Sequence, residues 1–182
     1  MPHEPPVCTI GHSTRSIDEF VELLRAGEVE LVVDIRSIPR SRTNPAYNFD
    51  ALPETLAAYR IAYSRIAELG GLRAKSKTVP PEVNGFWLNR SFHNYADYAL
   101  SGPFRDGLDA LIALAAARRV AMMCSEAVWW RCHRRIVADY LLQRGRAVAH
   151  LMGRDRLEPA TMTKAARASG EGLVYPAPSR EA

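Results

Sequence analysis

Arg119-Val-Ala-Met-Met-Cys-Ser-Glu-Ala-Val-Trp-Trp-Arg-Cys-His-Arg134 reads as a buried strand that breaks into a turn rich in reactive side chains and then enters a helix. Val120 to Met123 is an apolar run of strand length, and Ile136, Val137, Tyr140 and Leu141 recur at helical spacing before Gly145 supplies a stop. Between them lie two thiols, a carboxylate, an imidazole and a guanidinium: Cys124, Glu126, Cys132, His133 and Arg134. The carboxyl end of a parallel strand is where α/β proteins place ligands and chemistry.

Outward from that stretch the chain alternates strand and helix about five times. Val7 to Ile10 is a short strand ended by Gly11-His12-Ser13, and Ser16-Ile-Asp-Glu19 is a capping box for a helix with Ile17, Phe20, Leu23 and Leu24 on one face. Leu31 to Arg36 is almost continuously apolar, as an inner parallel strand covered on both faces requires, with Asp34 and Arg36 at its end. Ser37 to Asn48 is a basic loop. Asp50 caps a helix to about Arg60, Ile61 to Ile66 is a third strand, and Leu72 to Arg90 is a long loop of the kind that carries function. Asn94 to Leu100 is helical, Ser101-Gly-Pro-Phe104 begins the helix before Val120, and Ala147 to Leu151 is the last strand. Thr161 to Ala168 reads as a short helix. The pattern predicts a single three-layer α/β domain over residues 1–182, with a mostly parallel, roughly five-stranded sheet, a core over 7–151 and a C-terminal extension over 153–182.

The 182 residues suit one core, since a domain commonly takes roughly 100–200. A net charge of +4 is compatible with an anionic ligand but too small to indicate a nucleic-acid protein by itself. Three cysteines in a chain of this size point to a reducing, cytoplasmic setting rather than a disulfide framework. Met-Pro-His-Glu-Pro-Pro lacks the regions of a signal peptide, and no apolar run approaches the ~18 residues of a membrane span, so no membrane association is expected. Neither Gly-x-Gly-x-x-Gly after a strand nor a Walker-type lysine loop occurs, and no cofactor is expected.

In a parallel sheet His12, Asp34, Arg36 and Cys124 share one edge. Cys124, a thiol ahead of a helix start, is the expected nucleophile, against the alternative of a small buried core residue. Glu126 either moves a proton or caps the following helix. His12 and His133 compete as base. Ser13, Asp34, Arg36 and Arg134 are the expected substrate-holding residues. Cys132, His133 and Arg134 diverge by ~100° per residue, so not all of them face one site. Cys124, Glu126, Cys132 and His133 are also metal-ligand types, but their spacing matches no standard set, and no metal is expected. Arg36, Arg40, Arg42, Arg73, Lys75 and Lys77 form either a rim for an anionic small molecule or nucleic acid, or ordinary solvated charge. Trp129 and Trp130 either stack a ring or pack. Three readings stay open: a thiol enzyme acting on an anionic substrate, a nucleic-acid or nucleotide-binding module, and a metal-site protein.

Thr9-Ile-Gly-His-Ser13, Asp34-Ile-Arg36 followed by Pro39 and Ser41, Leu69-Gly-Gly71, Cys124-x-Glu126 with Cys132-His133-Arg134, and the closing Val174-Tyr-Pro176 together resemble the "domain of unknown function 488" family of bacteria and archaea. The resemblance runs from about Val7 to Leu151, and the segment around Glu158-Pro159 departs from the pattern. It implies an α/β fold and a site built from those motifs, and it names no reaction.

Overall fold

In a computed structural model, which describes residues 3–180, the apolar runs form one sheet whose inner strands are buried on both faces. The elements are β1 (Val7–Gly11), α1 (Ile17–Ala26), β2 (Leu31–Asp34), α2 (Leu52–Ala57), β3 (Ala62–Arg65), α3 (Arg90–Tyr98), α4 (Gly102–Ala117), β4 (Val120–Cys124), α5 (Arg134–Gln143), β5 (Val148–Gly153), β6 (Arg156–Pro159), β7 (Arg167–Ser169) and β8 (Gly172–Val174). The sheet order is β3-β2-β4-β1-β5-β6, parallel except for β6, which pairs antiparallel with β5. β4 therefore lies between β2 and β1. Its residues alternate between two cores: Val120 and Met122 pack with α3, α4 and α5, while Ala121 and Met123 pack with α1 and α2. A strand covered on both faces has no room for polar alternation, which accounts for its uninterrupted apolar sequence.

Register sets the level of the strand ends. Gly11 pairs with Cys124 and Asp34 with Met123, so β1, β2 and β4 finish together and release their loops on one edge. The helix starts follow their sequences: Ser16 accepts from the Glu19 amide, and Ser101 from the Phe104 amide.

The expected α/β arrangement with a mostly parallel sheet is present, its roughly five strands joined by a sixth, Arg156–Pro159, as an antiparallel edge beyond β5. Two local expectations are corrected. Thr161 to Ala168 is not a helix. The Thr163 amide is taken by the Asp139 carboxylate, and Arg167–Ser169 pairs with Gly172–Val174 in a hairpin turned through Gly170 at φ 59°. Asp50 does not cap α2, which starts after Ala51 and is only six residues long; Asp50 pairs with Arg40 instead, and Arg60 at φ 61° turns the chain into β3. The C-terminal segment packs into the main core through Leu173 and Tyr175. Among the described residues no helix is long and apolar enough to cross a membrane.

Candidate functional site

The loop after β4 is held against the end of β1. The His12 amide donates to the Cys124 carbonyl at 3.0 Å and the Ser13 amide to the Ser125 carbonyl at 2.9 Å. Gly11 makes this approach feasible, since a Cβ there would run into the Glu126 carbonyl. Ser13 takes a left-handed backbone, φ 43°, as the chain turns away. After a short 3-10 turn at Trp129–Arg131, Cys132 brings the chain back beside Cys124, and His133 stands at the N-cap of α5.

These segments wall a cavity of about 400 Å³, lined among others by Arg36, Gly71, Cys124, Glu126, Arg131, Cys132 and His133. Of the residues singled out in the sequence, Arg36, Cys124, Glu126 and His133 line it. His12, Ser13, Asp34 and Arg134 do not.

Cys132 occupies the most strongly shaped environment. Its sulfur lies 3.5 Å from His133 Nδ1 and accepts the Arg134 amide at 3.5 Å. His133 Nε2 is 2.9 Å from the Ile35 carbonyl, an acceptor, so Nε2 carries the ring proton and Nδ1 presents a lone pair to the thiol. Cys124 lines the same cavity, and its own sulfur can donate to the Glu126 carbonyl at 3.6 Å. Burial works against ionisation of Cys132, but the Cys124 hydrogen bond, the Arg134 charge and the Arg134 amide outweigh it and hold the thiol below its ordinary value. For Cys124 burial dominates, and the neighbouring Cys132 adds to it, so that thiol is pushed well above the ordinary range. Burial likewise lowers His133, which keeps the imidazole neutral.

Arg134, the residue after His133, is 1% exposed. One nitrogen, Nη2, donates to the Ala127 carbonyl at 3.1 Å, while Nε and Nη1 have no partner, and among the described residues no carboxylate pairs with it. A buried guanidinium without a counter-ion is strongly unfavourable. Its charge favours the ionised form of both thiols.

Next to the cavity, Arg36 grips Asp34 through two parallel hydrogen bonds of 2.9 and 2.7 Å, donates to the Tyr47 carbonyl, and meets His12 Nε2 at 3.3 Å. Tyr63 also donates to Asp34. His12 stacks on Tyr47 and donates from Nδ1 to the Ser13 carbonyl, so both ring nitrogens are engaged; burial holds it below its ordinary value. This set clamps the ends of β1 and β2 to each other. Trp129 stacks face to face on His150, whose Nδ1 meets the Thr9 hydroxyl at 2.7 Å.

The basic rim is partly committed to structure. Arg36 is ion-paired, Arg40 pairs with Asp50, and Arg73 donates to the Gly70 and Ala67 carbonyls while lying over the Tyr98 ring. Glu126 caps no helix: α5 starts without any side-chain cap, and its carboxylate is exposed at the cavity. Among the described residues no three His, Cys, Asp or Glu side chains are grouped as a metal set would need.

Sequence reasoning did not single out the surroundings of the Cys132 thiol or Gly71 as part of the wall. The signal for Cys132 was present in its direct neighbours, His133 and Arg134. Nothing in the Leu69-Gly-Gly71 run indicates that a histidine 62 residues later rests on it.

The sequence profile of the family described as domain of unknown function DUF488 matches residues 16–141, more than half of the chain and all of the segment from Cys124 to Arg134. No curated protein and no solved structure matches.

Proposed function

The chain belongs to the DUF488 family, and from its site geometry we propose a thiol-dependent enzyme in which Cys132 is the nucleophile. The carrying observation is the buried, carboxylate-free Arg134 beside it. A cation in that position is balanced when Cys132 is a thiolate, and a thiolate is the form that attacks. Neutral His133, its tautomer fixed by the Ile35 carbonyl, accepts the thiol proton at Nδ1. Glu126, exposed at the same cavity, passes that proton to solvent or to a leaving group.

The substrate is a small molecule with an electrophilic centre, since a cavity of about 400 Å³ falls within the usual range for such ligands. Arg36 is neutralised by Asp34. Arg131, a lining guanidinium that makes no ion pair among the described residues, receives a negative group of the substrate. Three free thiols suit a reducing compartment such as the cytoplasm.

The test is alkylation of the intact protein by iodoacetamide as a function of pH, with the modified residue located by peptide mapping. Cys132 is expected to react first and at lower pH than an ordinary thiol, and Cys132→Ser to abolish that phase. Reaction confined to Cys124, or no reaction at either residue in folded protein, removes the proposal.

A further inference from the structure

Both thiols of the Cys124/Cys132 pair line the same cavity, and each bears on the other's ionisation. Cys124 is 2% exposed and Cys132 5% exposed, and both are free. A single nucleophilic enzyme thiol needs no second thiol against its sulfur, and an alanine or serine would fill the position of Cys124 with less hazard of oxidation. Resting on Cys132 as the attacking group, we propose that the pair performs dithiol–disulfide exchange on a low-molecular-weight disulfide, with Cys124 as the resolving thiol.

In the first step the Cys132 thiolate attacks one sulfur of a substrate R–S–S–R′. The Cys132–S–R bond forms, the S–S bond of the substrate breaks, and R′–S⁻ leaves and is protonated from the cavity mouth, where Glu126 stands. In the second step Cys124 gives its proton to His133 Nδ1, no longer occupied by the Cys132 thiol, and attacks the Cys132 sulfur. R–S⁻ departs, taking up that proton, and the Cys124–Cys132 disulfide remains. Two thiols have been oxidised and one substrate disulfide reduced to two thiols, and an external thiol in excess returns the pair to the dithiol form.

The second step supplies the reason for the unequal pair. The attacking sulfur is stabilised as thiolate by Arg134, while Cys124 stays protonated until Cys132 has been consumed and its sulfur has become the electrophile. Cavity size separates a disulfide from a peroxide as oxidant. A hydroperoxide group would occupy a small part of about 400 Å³, whereas a disulfide with its two substituents fills it, with Arg131 placed for a carboxylate on one of them.

The experiment incubates the fully reduced full-length protein with glutathione disulfide, quenches with acid, and measures intact mass and non-reducing peptide maps. Wild type is expected to lose two hydrogens and carry a Cys124–Cys132 disulfide without retained glutathione, while Cys124→Ser accumulates one glutathionyl group on Cys132. Excess dithiothreitol restores the starting mass in both. A stable glutathionyl adduct on Cys132 of the wild type, with no internal disulfide, overturns the pairing and leaves the nucleophile standing. No change at either residue in wild type, with iodoacetamide still modifying Cys132, overturns the disulfide substrate alone. Inertness to both reagents overturns the nucleophile as well. The wild-type map decides these outcomes even if Cys124→Ser does not fold.

Discussion

Gly71 lies flat against the His133 imidazole: a Cβ at position 71 would stand 2.5 Å from Nδ1, the same nitrogen that meets the Cys132 sulfur at 3.5 Å. The ring cannot retreat freely, because Nε2 is tied to the Ile35 carbonyl and Tyr95 sits edge-on at 5.0 Å between centroids. A methyl group at 71 therefore moves the imidazole off the thiol. Gly71→Ala is expected to fold, since position 71 borders an open cavity, and to slow Cys132 alkylation at neutral pH by about 100-fold, as small displacements of a positioned group do. Unchanged alkylation kinetics would show that His133 does not assist the thiol.

Arg134 offers a complementary measurement, because it acts on Cys132 through charge and its own backbone rather than by reaching the cavity. Arg134→Met removes the charge and keeps the amide and much of the volume. The pH midpoint of Cys132 alkylation is expected to move up, with a fall on the order of ten-fold in rate at neutral pH. Stability should change little, since the desolvation penalty of the buried guanidinium is lost together with its attraction to the Cys132 thiolate. A large stability loss with an unmoved midpoint would make Arg134 a purely structural residue.

The shared strand edge was readable because it rests on strong signals: an apolar run too continuous for a half-exposed strand, a polar break after Cys124, and Asp34 with Arg36 in the equivalent place at the end of β2. The roles within it were not readable. Cys124 and Cys132 differ through contacts made at long range, above all the Ile35 carbonyl that fixes the tautomer of His133 from 98 residues away. Arg134 carries the chemistry of a substrate clamp in the sequence, yet as the first residue of α5 its side chain passes beneath the loop to Ala127. Thr161 to Ala168 misled for a different reason. Its alanines favour helix locally, but Asp139 and the pairing of β7 with β8 bind its backbone first, and tertiary partners outrank propensity.

His150 makes the fold sensitive to acid. Burial, followed by the Arg134 charge, lowers it from 6.5 to about 4, while the unfolded chain has the ordinary value. Between those two values the unfolded chain binds a proton that the folded protein does not, so the stabilisation is complete above about pH 6.5 and is lost as the pH falls toward 4. The loss is on the order of 3 kcal/mol for this residue. His12 and His133 are shifted in the same direction by burial and steepen the fall. Urea denaturation from pH 7.5 to pH 4.5 should show the decline, and His150→Gln, which keeps a partner for the Thr9 hydroxyl, should be less stable at neutral pH but lose less on acidification. Parallel pH curves for the two proteins would contradict the assignment.

Tyr175 fastens the C-terminal segment to the helix that carries the site. Its hydroxyl donates to Asp139 Oδ2 at 2.8 Å, its amide donates to Asn84 Oδ1, and the Thr163 amide takes Asp139 Oδ1. Burial raises the Asp139 carboxyl, against the hydrogen bonds from Thr163 and Tyr175, which favour its ionised form. Removing the Tyr175 hydroxyl leaves one carboxylate oxygen in the core without that donor, so Tyr175→Phe is expected to destabilise the protein by about 2 kcal/mol at neutral pH. The penalty should shrink at acidic pH, where a protonated Asp139 no longer needs the donor, and a penalty that instead stays constant would mean that the ring packing rather than the hydrogen bond had been disturbed. Tyr175→Ala removes the ring as well, and its cost should be larger, about 3–5 kcal/mol as for other buried aromatics, at every pH. Cys132 alkylation in folded Tyr175→Phe should match wild type. A clear slowing would mean that the tail sets the position of the α5 N-terminus, and with it His133.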